Sequence, residues 1–534
     1  MTMTLAMAIE PYFHLSDRSA GLFARPTMYS RRGAFRCPGT CVVYADDIEA
    51  GEYGWRECWG VKFKWTSEHL TPQDLEPLIH TYDTTATEAA ERLDEISPPP
   101  FKNQPPNNED KPPQTEKKIT RDLYELLPIH AANDEKVNRL WTEINTVPDW
   151  VNWEQLERGQ KVFYRYGAPI ITALTFLSLL GGMASGRTVQ TLDRTGGFGV
   201  DVVRRRLLET TQHTLNVTRD LDSIKPGGEG FEDSVRVRLL HAAVRRRIMG
   251  MAKSKPKYYK IRKFGVPIND LDCIGTINTF SAALIWMGLP RQGIWLREQE
   301  IVDYLALWRY IAYLMGTPHD WMSTPASARR MMESLLVAEI KPSKASANLA
   351  NNIITGLQNQ PPMYASREFM CAQTYWLNGH ALSKELEIDK PSWFYFALVL
   401  GQCILFMIVS YVDRNIGDLD ERNINVVRRG LYKILLRDKS KGGLGYETKF
   451  NFKYIPSFDR KSTERGAART GTQNKMGRVE HTALITLLIT AALAGAFVWY
   501  GGKAVWWVIL NSQDSTSVLL DIVRCGAFLV SGFD

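Results

Sequence analysis

Arg238, His241 and Arg245 stand at i, i+3 and i+7, so a helix would carry all three along one face. Arg206, Thr210 and His213 repeat the pattern at i, i+4 and i+7, with Glu209 alongside and Leu207, Leu208 and Leu215 around them. Cations among apolar helices need partners, because an unpaired buried ion is strongly unfavourable. An imidazole flanked by Leu240, Ala242 and Ala243 can ligate iron, and small alanines would let a flat macrocycle approach the helix backbone. The set therefore suits a haem site, with His241 on the iron and haem propionates as partners for the arginines. A core imidazole satisfied by its neighbours explains the same face, and helix arginines are ordinarily solvated.

Other chemistries lack their motifs. The chain contains no His-Glu-x-x-His, Gly-x-Ser-x-Gly, Gly-x-Gly-x-x-Gly or Walker lysine loop, so zinc hydrolysis, serine hydrolysis and nucleotide binding have no support. The sequence Asn269-Asp-Leu-Asp272 reads as a helix cap rather than a cation site. A net charge of +7 is modest, and the triplets Arg204 to Arg206 and Arg245 to Arg247 sit in apolar helical surroundings, not in a basic stripe with exposed aromatics. Nucleic acid is therefore not an expected partner. Seven cysteines, odd in number and scattered, argue against a secreted disulfide framework and for a reducing compartment. Cys37 and Cys41 are read as free thiols on a turn, since covalent haem attachment needs Cys-x-x-Cys-His. The sequon Asn216-Val-Thr218 is discounted because it falls on an expected helix.

The elements that must position these residues are helices. Hydrophobic residues make up 44% of the chain and charged residues 23%, as in a globular protein. Apolar periodicity predicts helices over 173–184, 202–215, 235–251, 274–287 and 299–315, with breaks at Gly196-Gly197 and Pro226-Gly227-Gly228. Residues 1–96 read as a small helical N-terminal extension in which Thr71 caps a helix opening at Pro72. Residues 97–118, rich in proline, read as an extended linker. The main domain covers 119–458, followed by a basic segment over 459–481, an anchor over 482–510 and a tail over 511–534. Residues 482–500 carry no charge and are long enough to cross most of a hydrocarbon core of about 30 Å. Arg460, Lys461, Arg465, Arg469, Lys475 and Arg478 precede them, which predicts a main domain on the cytosolic side. Residues 391–412 are also free of charge, but Gln402 interrupts them, and they read as a core or membrane-contacting helix.

The ordered series Gly159-Gln-Lys-Val-Phe-Tyr-Arg-Tyr166, Ser178-Leu-Leu-Gly-Gly182, Arg194-Thr-Gly-Gly-Phe198, Arg206-Leu-Leu-Glu-Thr210, Val235-Arg-Val-Arg-Leu-Leu-His241 and Gly265-Val-Pro-Ile-Asn-Asp270 resembles one known family. That family, here in its fungal branch, unites the ER-bound oxygenases of mycophenolic acid biosynthesis with the latex-clearing rubber oxygenases. The resemblance covers about residues 149–456. It implies an all-α, globin-like helical bundle with haem b that uses dioxygen to cleave the double bonds of lipophilic isoprenoid molecules at an endoplasmic reticulum or other intracellular membrane. His241 would be the proximal iron ligand, Arg238 its support or that of the haem, and Arg206 and Thr210 the distal pair. The chain departs from the rubber enzymes at Glu209, where they carry lysine, and at Gln190, which falls where they carry a glutamate. These departures imply altered proton delivery. The alternative is a non-catalytic haem-binding or membrane scaffold protein of the same fold.

Overall fold

The computed structural model describes residues 54–98, 121–361, 363–439, 442–445, 463–466 and 476–511, together with strands at 35–36 and 41–43. Most of the proline-rich linker, much of the basic segment and the tail beyond residue 511 lie outside the described residues.

The N-terminal extension is not wholly helical, which corrects the expectation from sequence. Strands β1 (Phe35–Arg36), β2 (Cys41–Val43), β3 (Trp55–Cys58) and β4 (Val61–Lys64) form an antiparallel meander in chain order. Trp59 and Gly60 join the last two, and both have positive φ, 51° and 68°. Two positive φ values make the tight hairpin turn whose twist suits its strands. Strands of two to four residues are too short for a period-two pattern to show against the aromatic composition. The residues read as free thiols, Cys37 and Cys41, fall outside the described side chains. Cys58 is disulfide-bonded, and the register sets Cys41 directly across from it.

The rest is helical. The elements that bear on the site are α1 (Thr84–Ile96), α2 (Glu135–Asn145), α3 (Trp153–Arg165), α4 (Val203–Thr218), α5 (Glu229–Ser254), α6 (Asp270–Phe280), α7 (Glu298–Leu314), α8 (Lys344–Leu357), α9 (Arg367–Glu385), α10 (Trp393–Asp413), α11 (Gly417–Leu431) and α12 (Arg478–Asn511). Their starts follow local chemistry. Asp83 caps α1 by accepting from the Ala86 amide at 3.1 Å, and Asn269 caps α6 by accepting from Asp272 at 2.9 Å, each satisfying an amide that the helix leaves open. Thr71 and Asp74 complete a reciprocal cap around Pro72. Gly227, at φ 85°, turns the chain into α5 in a conformation that other residues adopt at a cost.

Two expected helices differ from the regular form. The run expected over 173–184 begins as α-helix, widens into π-helical turns over Leu174–Leu180 and tightens into a 3-10 turn over Gly181–Ala184. That expected over 274–287 ends as α6 at Phe280 and resumes as π-helical turns over Leu284–Gly288. Such turns arise where packing overrides the regular ladder.

Two buried apolar masses hold the bundle. One gathers residues of α3, α5 and α7, including Phe163, Phe231 and Trp308; the other gathers the sheet, the π-helical turns, α8 and α9, including Phe63, Leu177 and Ile353. Each fully buried large side chain contributes about 1.5–3 kcal/mol. Helix α3 approaches α7 so closely that a Cβ at Gly159 would stand 2.4 Å from the Asp303 carbonyl oxygen, and Arg158 clasps the Asp303 carboxylate at 2.8 and 3.0 Å. Helix α4 bridges the two masses: Val203 lies in the second, Leu215 and Val217 in the first.

Candidate functional site

The candidate site lies between α4 and α5, which are pinned together at their polar residues. Asn216 donates to Asp233 at 2.7 Å, and Ser223 donates to the Asn216 carbonyl at 2.7 Å. Asn216 is thus buried and engaged, so the sequon is not presented to solvent. One turn earlier on α4, the His213 Nε2 lies 3.0 Å from the Ser234 hydroxyl. Ser234 spends its own proton on the Gly230 carbonyl, 2.7 Å away. It can therefore only accept from His213, which makes Nε2 the protonated nitrogen and leaves Nδ1 as the acceptor. Burial pushes His213 down to about 4, so the ring is neutral at ordinary pH.

His241 sits on α5, two turns beyond Ser234. It makes no hydrogen bond with a described residue. It keeps part of its surface accessible, yet burial, reinforced by Arg245 and Arg206, presses its pKa down to about 3 against the opposing pull of Asp83. Arg206 and His213 of α4 act electrostatically on it, so the structure brings the α4 and α5 sets together. A neutral imidazole that hydrogen-bonds no described residue keeps a lone pair able to accept a proton or a metal ion.

The remaining expected residues divide. Glu209 is 3% exposed; its Oε1 accepts from Arg205 at 3.1 Å, while its Oε2 is buried without a hydrogen-bond partner among the described residues. Thr210 is exposed and donates to the Arg206 carbonyl of its own helix at 3.2 Å. Gln190 is turned back on its own segment, donating to the Gly186 carbonyl at 3.3 Å and accepting from Arg194 at 3.3 Å.

The arginines of α5 find their main partners in the protein, which the sequence did not disclose. Arg238, 3% exposed, donates to both carboxylate oxygens of Asp83 at 2.7 and 3.0 Å and to Glu143 at 2.6 Å. Burial alone would depress it, but the two carboxylates outweigh burial and hold it above its ordinary value. Its Nη1 is buried without an acceptor. Arg245 donates to Thr87 at 2.8 Å and to the Ile268 carbonyl at 2.7 Å, and burial leaves it below its ordinary value. Haem propionates are therefore not needed to explain either buried arginine. Asp83 and Glu143 escaped notice because a cap and a surface-type helix residue carry no local sign of a partner 155 or 95 residues away.

Residues 165–400 match the family model described as "ER-bound oxygenase mpaB/B'/Rubber oxygenase, catalytic domain". Among solved structures, that of latex clearing protein LCP in the closed state is similar in fold, with a TM-score of 0.50 and 14% identity over 74% of this chain and 100% of that one. No curated protein matches the chain. The matched segment contains α4, α5 and all the residues placed at the site from those helices, and it is similar to the catalytic domain of the ER-bound mpaB oxygenases and rubber oxygenases.

Proposed function

We propose that this protein is a haem b-dependent oxygenase that uses dioxygen on a lipophilic small molecule of isoprenoid type at the endoplasmic reticulum membrane. One observation carries the reading: within an oxygenase-family domain, His241 is a neutral, desolvated imidazole that no hydrogen bond claims. The residues present fit the cofactor. His241 would hold the iron, and the spare Nη1 of Arg238 lies one turn before it as a donor. Bound haem would supply dioxygen activation. Glu209 would hold or return a proton at Oε2, which lies out of bulk water and unclaimed by Arg205. Arg206 would add positive charge on the α4 side, and Thr210 a hydroxyl. Glutamate in place of a basic residue makes this side a proton carrier rather than a neutral ligand.

The pyridine haemochrome of the full chain, purified after haem supplementation, should show haem b near one per chain, and oxygen uptake should follow addition of a polyisoprenoid chain. Absence of haem overturns the reading. Haem without any oxygen- or peroxide-dependent turnover leaves a haem-binding protein.

The membrane is the other part of the proposal. Helix α12 is long and apolar enough to cross a bilayer, and its side chains stand outside the bundle, with Leu493 67% and Phe497 80% exposed. Two observations favour the domain facing an oxidising lumen over the cytosolic side. Cys58 is disulfide-bonded, a bond that persists in oxidising compartments. Arg465, one of the basic residues before the anchor, is folded onto the domain through Glu387 at 2.9 Å and Asn351 at 2.9 Å, which weakens the flank as a topology signal. In sealed microsomes the domain should resist added protease until detergent is present. Digestion without detergent would restore the cytosolic orientation.

A further inference from the structure

Helix α10 carries no charge from residue 391 to 412, and its polar residues are turned into the protein. Gln402 is buried against Gln373, with which it hydrogen-bonds, and Ser410 is buried as well. Tyr411 donates to the Gly293 carbonyl at 3.0 Å and accepts from the Trp295 amide at 3.1 Å. The opposite face is apolar and uncovered: Trp393, 67% exposed, and Phe394 at one end, Ile408, Val409 and Val412 at the other. Lys390 precedes this stretch and Asp413 and Arg414 follow it.

Helix α12 identifies the medium that this face meets. It packs along α10 so closely that a Cβ at Gly401 would lie 2.3 Å from the Ala483 carbonyl oxygen and 3.1 Å from the Leu487 Cβ. Six residues earlier on α10, Tyr395 lies within electrostatic reach of Glu480. Moving six residues along α10, from Tyr395 to Gly401, moves the neighbour on α12 from Glu480 to Ala483 and Leu487, so the helices run in the same direction. At 1.5 Å per residue in both helices, this register sets Ile408 to Val412 level with roughly residues 491–496 of α12. The charge-free stretch of α12, residues 482–502, spans about 31 Å, close to the thickness of a hydrocarbon core. It cannot slide along the membrane normal without burying Arg478 and Glu480 at one end or Lys503 at the other. Its middle therefore stays in hydrocarbon, and the part of α10 from Ile408 to Val412 lies at the same depth.

We infer that the outer face of α10 is embedded in the lipid hydrocarbon beside α12, so that the catalytic domain is held flush on the bilayer by a two-helix face rather than tethered by one C-terminal anchor. This rests on the reading of α12 as a membrane span. It gives a lipophilic substrate a domain wall, not only a tail, in contact with the phase into which it partitions.

The test uses the full chain in phosphatidylcholine vesicles, with p-benzoylphenylalanine replacing Val409, Leu493 or Glu91 one at a time. Glu91, exposed on α1, sets the aqueous background. Irradiation should attach phosphatidylcholine at position 409 in a yield comparable to that at position 493. Lipid attached at 493 with only background at 409 overturns the inference while leaving the α12 span intact. Background at both positions overturns the span itself, and the inference with it.

Discussion

Replacing His241 by alanine should abolish haem retention and, with it, dioxygen-dependent turnover, while Glu209→Gln should retain haem and lose turnover. The haemochrome of the purified variants separates the two. A His241→Ala protein that still holds haem would remove this residue from the iron. A second consequence needs no cofactor. The folded imidazole has its pKa lowered to about 3, whereas an unfolded one titrates near 6.5. Between these values the unfolded chain binds a proton that the native chain does not, so the native protein loses stability as pH falls from 6.5 toward 3. The loss is of the order of a few kcal/mol across that window. The haem-free alanine variant should lack this share of the acid sensitivity. Melting temperatures of haem-free parent and variant between pH 7 and 4.5 measure the difference, and parallel slopes would show that the ring is not buried in its neutral form.

Asp83→Ala should destabilise the protein by about 3–5 kcal/mol, because it leaves Arg238 buried with one carboxylate fewer, and by about 1 kcal/mol more through loss of the α1 cap. Asp83→Asn keeps the capping oxygen and one of the two acceptors for Arg238 while losing the charge and the other acceptor, so its cost should be smaller. The double variant Asp83→Ala with Arg238→Met should recover much of the loss, since the penalty belongs to the orphaned guanidinium rather than to the absence of a salt bridge. Denaturant midpoints measure all three. An Asp83→Ala protein as stable as the parent would mean that Glu143 alone satisfies Arg238. The pairing matters to the site because Arg238 lies one turn before His241 on α5, so the N-terminal extension, through Asp83, steadies the helix that presents the imidazole.

The helices were legible wherever a long apolar period met a recognisable end. Helix α4 runs over Val203–Thr218 where the period predicts 202–215. Asn269 caps α6 as its residue type suggests, and Thr71 and Pro72 open a helix in the expected way. The apolar stretch of α12 and the polar faces of α4 and α5 were equally plain, because 3.6-residue periodicity is a local property that a row of residues carries unaided. Short strands lack that advantage. Trp55–Cys58 and Val61–Lys64 have four residues each, and pairing across the sheet, not their own pattern, makes them strands.

The residue types of Arg238, His241, Arg206 and Glu209 announced polar groups in apolar helices, and ordered motifs tied them to an oxygenase family. Which of those groups would be satisfied was settled in three dimensions. Arg238 meets Asp83, 155 residues away, whereas His241 meets no hydrogen-bonding side chain among the described residues. Local sequence could not separate the two, because both lie on one face of one helix with the same apolar neighbours. Folding separates them: burial makes an unpaired polar group costly, and long-range packing decides which residue is given a partner and which is left open for a ligand.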